Sequence, residues 1–145
     1  MSTVRRRRTV SSPSRLTAKT EFLNVDFNVR SRTSLEPLRS AWPGFVQDAG
    51  SQLSPKRQWL VLNVPGQPRN TEGAIRAFVR VIADLPSPAR ACLTNASSRT
   101  LDIGVQVGLK PHSFEDVRLS HGTLEAVTRL RATISVTLYA PREEA

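Results

Sequence analysis

Four stretches of this chain alternate apolar and polar residues with a period of two, and this pattern restricts the fold more than any other feature. In Glu21 to Arg30, Leu23, Val25, Phe27 and Val29 alternate with Asn24, Asp26 and Asn28. Trp59 to Val64 places Leu60, Leu62 and Val64 on one side. Arg99 to Gly108 sets Leu101, Ile103, Val105 and Val107 against Asp102, Gly104 and Gln106. Thr133 to Ala140 carries Ile134, Val136 and Leu138 as its inward residues. Period two marks a strand buried on one face only. A single sheet with a covered side and an open side is therefore predicted.

The segments between the strands show helical spacing. Ser34 is placed to cap a short helix from Leu35 to Trp42, with Pro37 confined to its first turn. Residues 43–57, rich in Gly, Ser and Pro, read as a long loop. Asn70 or Thr71 can cap the main helix, with Glu72 favouring its positive N-terminal end. Ala74, Ile75, Phe78, Val79, Ile82 and Leu85 recur at three and four, so one face is expected to be buried. Pro86-Ser87-Pro88 ends this helix and starts a short second one through Leu93. An irregular stretch follows from Leu109 to Leu119. Ser120 then caps a last helix whose apolar stripe is Leu124, Val127 and Leu130. The fold class expected is α+β, in two layers: one four-stranded, mostly antiparallel or mixed sheet with helices on one face. Residues 20–141 form a single domain, residues 1–19 a disordered basic arm, and residues 142–145 a tail.

Charge sets the arm apart. The chain of 145 residues has a formal net charge of +9. Arg5, Arg6, Arg7, Arg8, Arg15 and Lys19 contribute +6 within the first twenty residues, which hold no acid. Such an arm attracts nucleic acid, anionic lipid or an acidic protein surface. Cys92 is the only cysteine, so an intramolecular disulfide is impossible. No apolar run approaches the ~20 residues that span a bilayer. A cytoplasmic protein without a membrane span is expected.

The open side of the sheet is the candidate partner face. It carries Asn24, Asp26, Asn28, Asn63, Asp102, Gln106, Ser135 and Thr137, with Trp59 and Tyr139 among them. Amphipathic aromatics of this kind suit a protein interface. Base stacking on a sheet is the competing use, but Asp26 and Asp102 oppose it. Gly104 interrupts the polar row and marks a bulge or a close backbone approach. The densest polar cluster is His112, Ser113, Glu115, Asp116 and His121. Its spacing fits no standard zinc motif and does not establish a nucleophile, base and acid in contact. Cys92 sits among apolar neighbours and reads as a small core residue. No catalytic residue, metal ligand or cofactor is assigned.

The C-terminal half resembles a known family. Leu119-Ser120 stands before a helix with Leu124, Val127, Leu130 and Ala132. The strand Ile134-Ser135-Val136-Thr137-Leu138-Tyr139 follows. With the strand Leu101 to Val107 and the helical stretch before it, these residues resemble the bacterial domain-of-unknown-function family 4279 over roughly residues 58–140. The resemblance implies a small α+β fold and no catalytic residues. Members tend to carry glycine just after the last helix, where this chain has Arg131. That position is expected to need a positive φ, at a cost of about 1 kcal/mol for arginine. Some small bacterial domains of this class resemble immunity proteins, an analogy of class only. The function expected is a non-enzymatic protein-binding module, inhibitor-like or immunity-like, with an unknown protein partner. The alternative is a nucleic-acid-associated protein tethered through the arm.

Overall fold

The longest alternating stretch becomes the middle of the sheet. The computed structural model describes residues 19–50, 57–110 and 116–141. In chain order the elements are β1 (Glu21–Ser31), α1 (Glu36–Ala41), β2 (Val46–Asp48), β3 (Gln58–Leu62), α2 (Thr71–Ala83), α3 (Ser87–Asn95), β4 (Ser98–Gln106), α4 (His121–Arg129) and β5 (Thr133–Tyr139). The strands form one five-stranded sheet in the order β2-β3-β1-β4-β5. The β4–β5 pair is parallel and every other pair is antiparallel. The α+β class and the mixed sheet are as expected.

Strand β2 is the addition. It lies within residues 43–57, expected to be a loop, because three residues are too few to display a period. Tertiary contacts create it instead. The Trp42 indole Nε1 donates to the Asn63 carbonyl at 2.7 Å, and the Asn63 amide donates to the Phe45 carbonyl at 3.0 Å. A Cβ on Gly44 would stand 2.1 Å from the Asn63 oxygen, so only glycine permits this approach.

The inward residues of the strands are buried as the alternation demands. Val25, Phe27, Val29, Leu60, Leu62, Leu101 and Ile103 are fully buried, with Val105 close to it. They pack with Leu38 of α1, Ala74, Ile75, Phe78 and Ile82 of α2, Ala89 and Leu93 of α3, and Val127 of α4. At the centre, the Phe27, Trp42 and Phe78 rings lie 5.9 to 6.4 Å apart. This spacing favours tilted and offset aromatic contacts. Leu23 departs from the alternation. The β1–β4 register shifts between Phe22 and Asn24, so Leu23 is the extra residue of a bulge. Phe22 takes its place against the core.

Two helix caps follow the sequence. Asn70 Oδ1 accepts from the Gly73 amide at 2.7 Å, and Ser120 Oγ accepts from the Thr123 amide at 3.2 Å. Ser34 acts one residue early: α1 is preceded by Leu35, and Ser34 Oγ accepts from the Glu36 amide. Helix α3 has no side-chain cap and runs on to Asn95. Between α2 and α4, Glu72 accepts from the Ser120 amide (3.0 Å), Ser120 Oγ (2.6 Å) and Thr123 Oγ1 (2.6 Å). The Ser120 and Thr123 donors, helped by the nearby Arg76 guanidinium, hold its carboxyl at about 2, below the ordinary 4.5.

The edge strand and the last helix correct the expected apolar stripes. Leu124 is 43% exposed, and α4 buries Thr123 and Val127 instead. Val136 and Leu138 lie on the helix side, opposite Ile103 and Val105, yet they are 51% and 66% exposed. Edge position is the reason. Ile134 reaches the core, but among the described residues no helix covers the far half of β5. Helix α4 ends in a Schellman turn. Ala132 N–H donates to Val127 O, and Arg131 N–H donates to Thr128 O. Arg131 adopts φ 51°, so the positive φ expected at this position is present. Along the β3 flank of β1, the Gln67 carboxamide substitutes for a strand. It accepts from Val25 N–H at 2.7 Å and donates to Val25 O at 2.8 Å. Among the described residues no helix is long and apolar enough to cross a membrane.

Candidate functional site

The open face brings most of the expected residues together, and cross-strand register explains how. Asp26 and Asp102 are direct partners between β1 and β4. Like charges placed opposite one another destabilise a sheet. Each carboxylate therefore takes its own donors. Asp26 accepts from Asn24 Nδ2 (3.1 Å) and Asn63 Nδ2 (2.9 Å). Asp102 accepts from Ser135 Oγ (2.7 Å) and from Thr137 Oγ1 (2.8 Å). Charge-assisted hydrogen bonds of this kind are short and strong.

Trp59 anchors the β3 side. Its indole Nε1 donates to Asn28 Oδ1 at 3.1 Å, and the Arg30 guanidinium lies 4.2 Å from its ring centroid. That distance is within cation–π range. Between Trp59 and the Asp102 set lies a shallow hollow of about 390 Å³. Arg30, Ser98 and Thr100 also line it, beyond the residues expected there. The signal was available. Arg30 stands two residues after Asn28, and Thr100 two before Asp102, so both continue the same alternation.

Tyr139 is part of this face, at its β5 margin. A Cβ on Gly104 would meet Asn24 Oδ1 at 2.9 Å and the Tyr139 ring at 3.4 Å. The close approach expected at Gly104 is thus made by two members of the face. Gln106 corrects the expected set: it is buried. Its Nε2 donates to the carbonyls of Val107, Tyr139 and Ala140. These bonds tie the ends of β4 and β5 together, and no partner can reach this side chain.

The remaining candidates lie partly outside the described residues. Arg5, Arg6, Arg7, Arg8 and Arg15 lie outside the described residues. Lys19 is exposed, and its backbone packs so tightly on Gly108 that a Cβ there would stand 2.2 Å from the Lys19 carbonyl carbon. His112, Ser113 and Glu115 also lie outside the described residues. Asp116 pairs with Arg118 at 2.8 Å, and the exposed His121 faces Glu125 at 3.5 Å. Among the described residues no three His, Cys, Asp or Glu side chains gather around one point. Cys92 is half-buried beside the core, with its thiol 3.6 Å from the Ser34 carbonyl. No protein-family model, curated protein or solved structure matches this chain.

Proposed function

We propose that this protein is a non-enzymatic protein-binding module that meets its partner with the open face of the sheet. The observation that carries the reading is the ordered state of that face. Its carboxylates, amides and hydroxyls are held by one another, with Trp59 and Arg30 on one side and Tyr139 on the other. Trp, Tyr and Arg are the residue types that dominate interface energetics. A face already fixed in place loses little side-chain entropy on association. An inhibitor-like or immunity-like action suits a small module of this build. The resemblance of residues 58–140 to family 4279 belongs to the same reading, and the left-handed Arg131 supports it.

The test is a nuclease-treated pull-down with the full chain. The captured partner is purified and its affinity remeasured. Trp59→Ala with Arg30→Ala should weaken binding by at least about tenfold, the scale of one interface anchor. Replacing Arg5 through Arg8 with serine should leave it unchanged. The reverse pattern overturns the reading in favour of the arm, whose six basic and no acidic residues carry a second one: association with nucleic acid. That reading requires an affinity that falls steeply between about 50 and 200 mM salt.

A further inference from the structure

On the helix side, away from the open face, a cleft of about 310 Å³ opens where α3, the start of β4 and the end of α4 meet. Ile82, Leu93 and Leu130 form its apolar wall, with Phe27 beneath. Its polar lining is almost wholly arginine: Arg90 from α3, Arg99 from β4, Arg129 from the end of α4, and Arg131 from the turn after it. Among the described residues no acidic side chain lines it. We propose that this cleft binds a small amphipathic anion, a carboxylate or phosphate joined to a compact apolar body.

Three features favour a ligand over a merely solvated basic surface. Arg99 is already fixed. Its Nη1 donates to the carbonyls of Leu93 (2.6 Å) and Ala96 (3.0 Å), and its Nε to that of Arg131 (3.3 Å). Its Nη2 makes none of these bonds. A guanidinium held this way loses no further freedom when an anion arrives. Secondly, the positive charge lacks a local complement. Among the described residues neither Arg90 nor Arg131 forms an ion pair, and Arg129 has only the exposed Glu125 at 3.8 Å. Thirdly, Arg131 occupies a left-handed backbone position that glycine would take without strain. Strained residues of this kind gather at ligand sites.

The chemistry of the lining selects the ligand class. Guanidinium forks match the paired oxygens of carboxylate and phosphate, a geometry that ammonium groups lack. The apolar wall rewards a ligand that carries carbon behind its charge. The volume lies at the lower end for small-molecule sites, which excludes large cofactors.

The experiment is an NMR titration of the full chain with phenyl phosphate, benzoate, inorganic phosphate and benzyl alcohol. Phenyl phosphate or benzoate should saturably shift the backbone amides of Thr94, Leu130 and Ala132, and the tighter of the two tells which anion is preferred. Inorganic phosphate and benzyl alcohol should bind at least about tenfold more weakly, each lacking one half of the recognition. Arg131→Gly and Arg90→Ala should each weaken binding by about tenfold, the scale of one charge-assisted hydrogen bond. Arg131→Gly relieves the backbone, so a loss of binding in that variant is not a loss of folding. The proposal is overturned if neither aromatic anion gives saturable shifts. It fails equally if inorganic phosphate binds as tightly as phenyl phosphate, or if both variants bind like the parent.

Discussion

The open sheet face and the arginine cleft treat charge in opposite ways. On the face, Asp26 and Asp102 are each surrounded by amide or hydroxyl donors, and Arg30 lies on Trp59. Its electrostatics are closed within it. In the cleft, four arginines from three elements and a turn line the wall, with no carboxylate among the described lining residues. The face is shaped to present a rigid surface, and the cleft is shaped to receive a charge from outside. The difference also separates two kinds of sequence information. The face follows from local alternation, whereas the cleft joins positions 90 to 131 and has no local pattern.

Arg99→Ala should have the largest effect on stability. It strips carbonyls at the end of α3 and in the turn after α4 of their donor, and should destabilise the protein by about 2–3 kcal/mol in urea unfolding. A smaller loss than that of Trp59→Ala would mean that the cleft is less ordered than the face. Glu72→Gln comes next, because Glu72 clips α4, and with it Arg129 and Arg131, to α2. It should cost about 1–2 kcal/mol near pH 7. Its carboxyl titrates at about 2 when folded, against an ordinary 4.5. A lowered folded value favours the native state above the unfolded value, and the advantage disappears as pH falls toward 2. The stability gap between parent and Glu72→Gln should therefore narrow between pH 5 and pH 2, and a constant gap would contradict the clip.

Trp59→Ala removes one cation–π contact and one hydrogen bond at a half-buried site. A loss of about 1 kcal/mol is expected by thermal unfolding. Arg131→Gly is the smallest change and has the opposite sign. Relief of the left-handed strain, partly offset by the freer unfolded chain, should raise stability by about 0.5–1 kcal/mol. Losing Trp59 from the face weakens the fold, while replacing Arg131 at the rim of the cleft by glycine strengthens it.

Legibility in the sequence tracked the range of the interactions. Local signals were sufficient for the four main strands, the Asn70 and Ser120 caps, the break at Pro86 and the buried stripe of α2. The positive φ of Arg131 was legible only through the resemblance, whose members tend to carry glycine at that position. Failures arose where neighbours decide the outcome. Val136 and Leu138 carry the same period as Leu101 and Ile103, yet one pair lies at an edge and the other at the centre. Periodicity reports a face and never a position in the sheet. Gln106 has the parity of the open face but lies where two strands end together. The bulge at Leu23 likewise depends on what β4 sets opposite it. For the candidate sites, the alternation places most of the face and runs on through Arg30 and Thr100, beyond the residues expected there. The cleft was invisible, because Arg90, Arg99, Arg129 and Arg131 are ordinary surface residues until α3, β4 and α4 meet.

Gln67 bears on assembly. Its carboxamide fills the gap on the β1 flank where β3 has ended, meeting the one backbone N–H and the one carbonyl that Val25 turns outward. Without it, that notch would present a ready template to a strand from another molecule. A single side chain thus closes this gap in the sheet. Gln67→Leu should first become apparent as aggregates that grow with protein concentration.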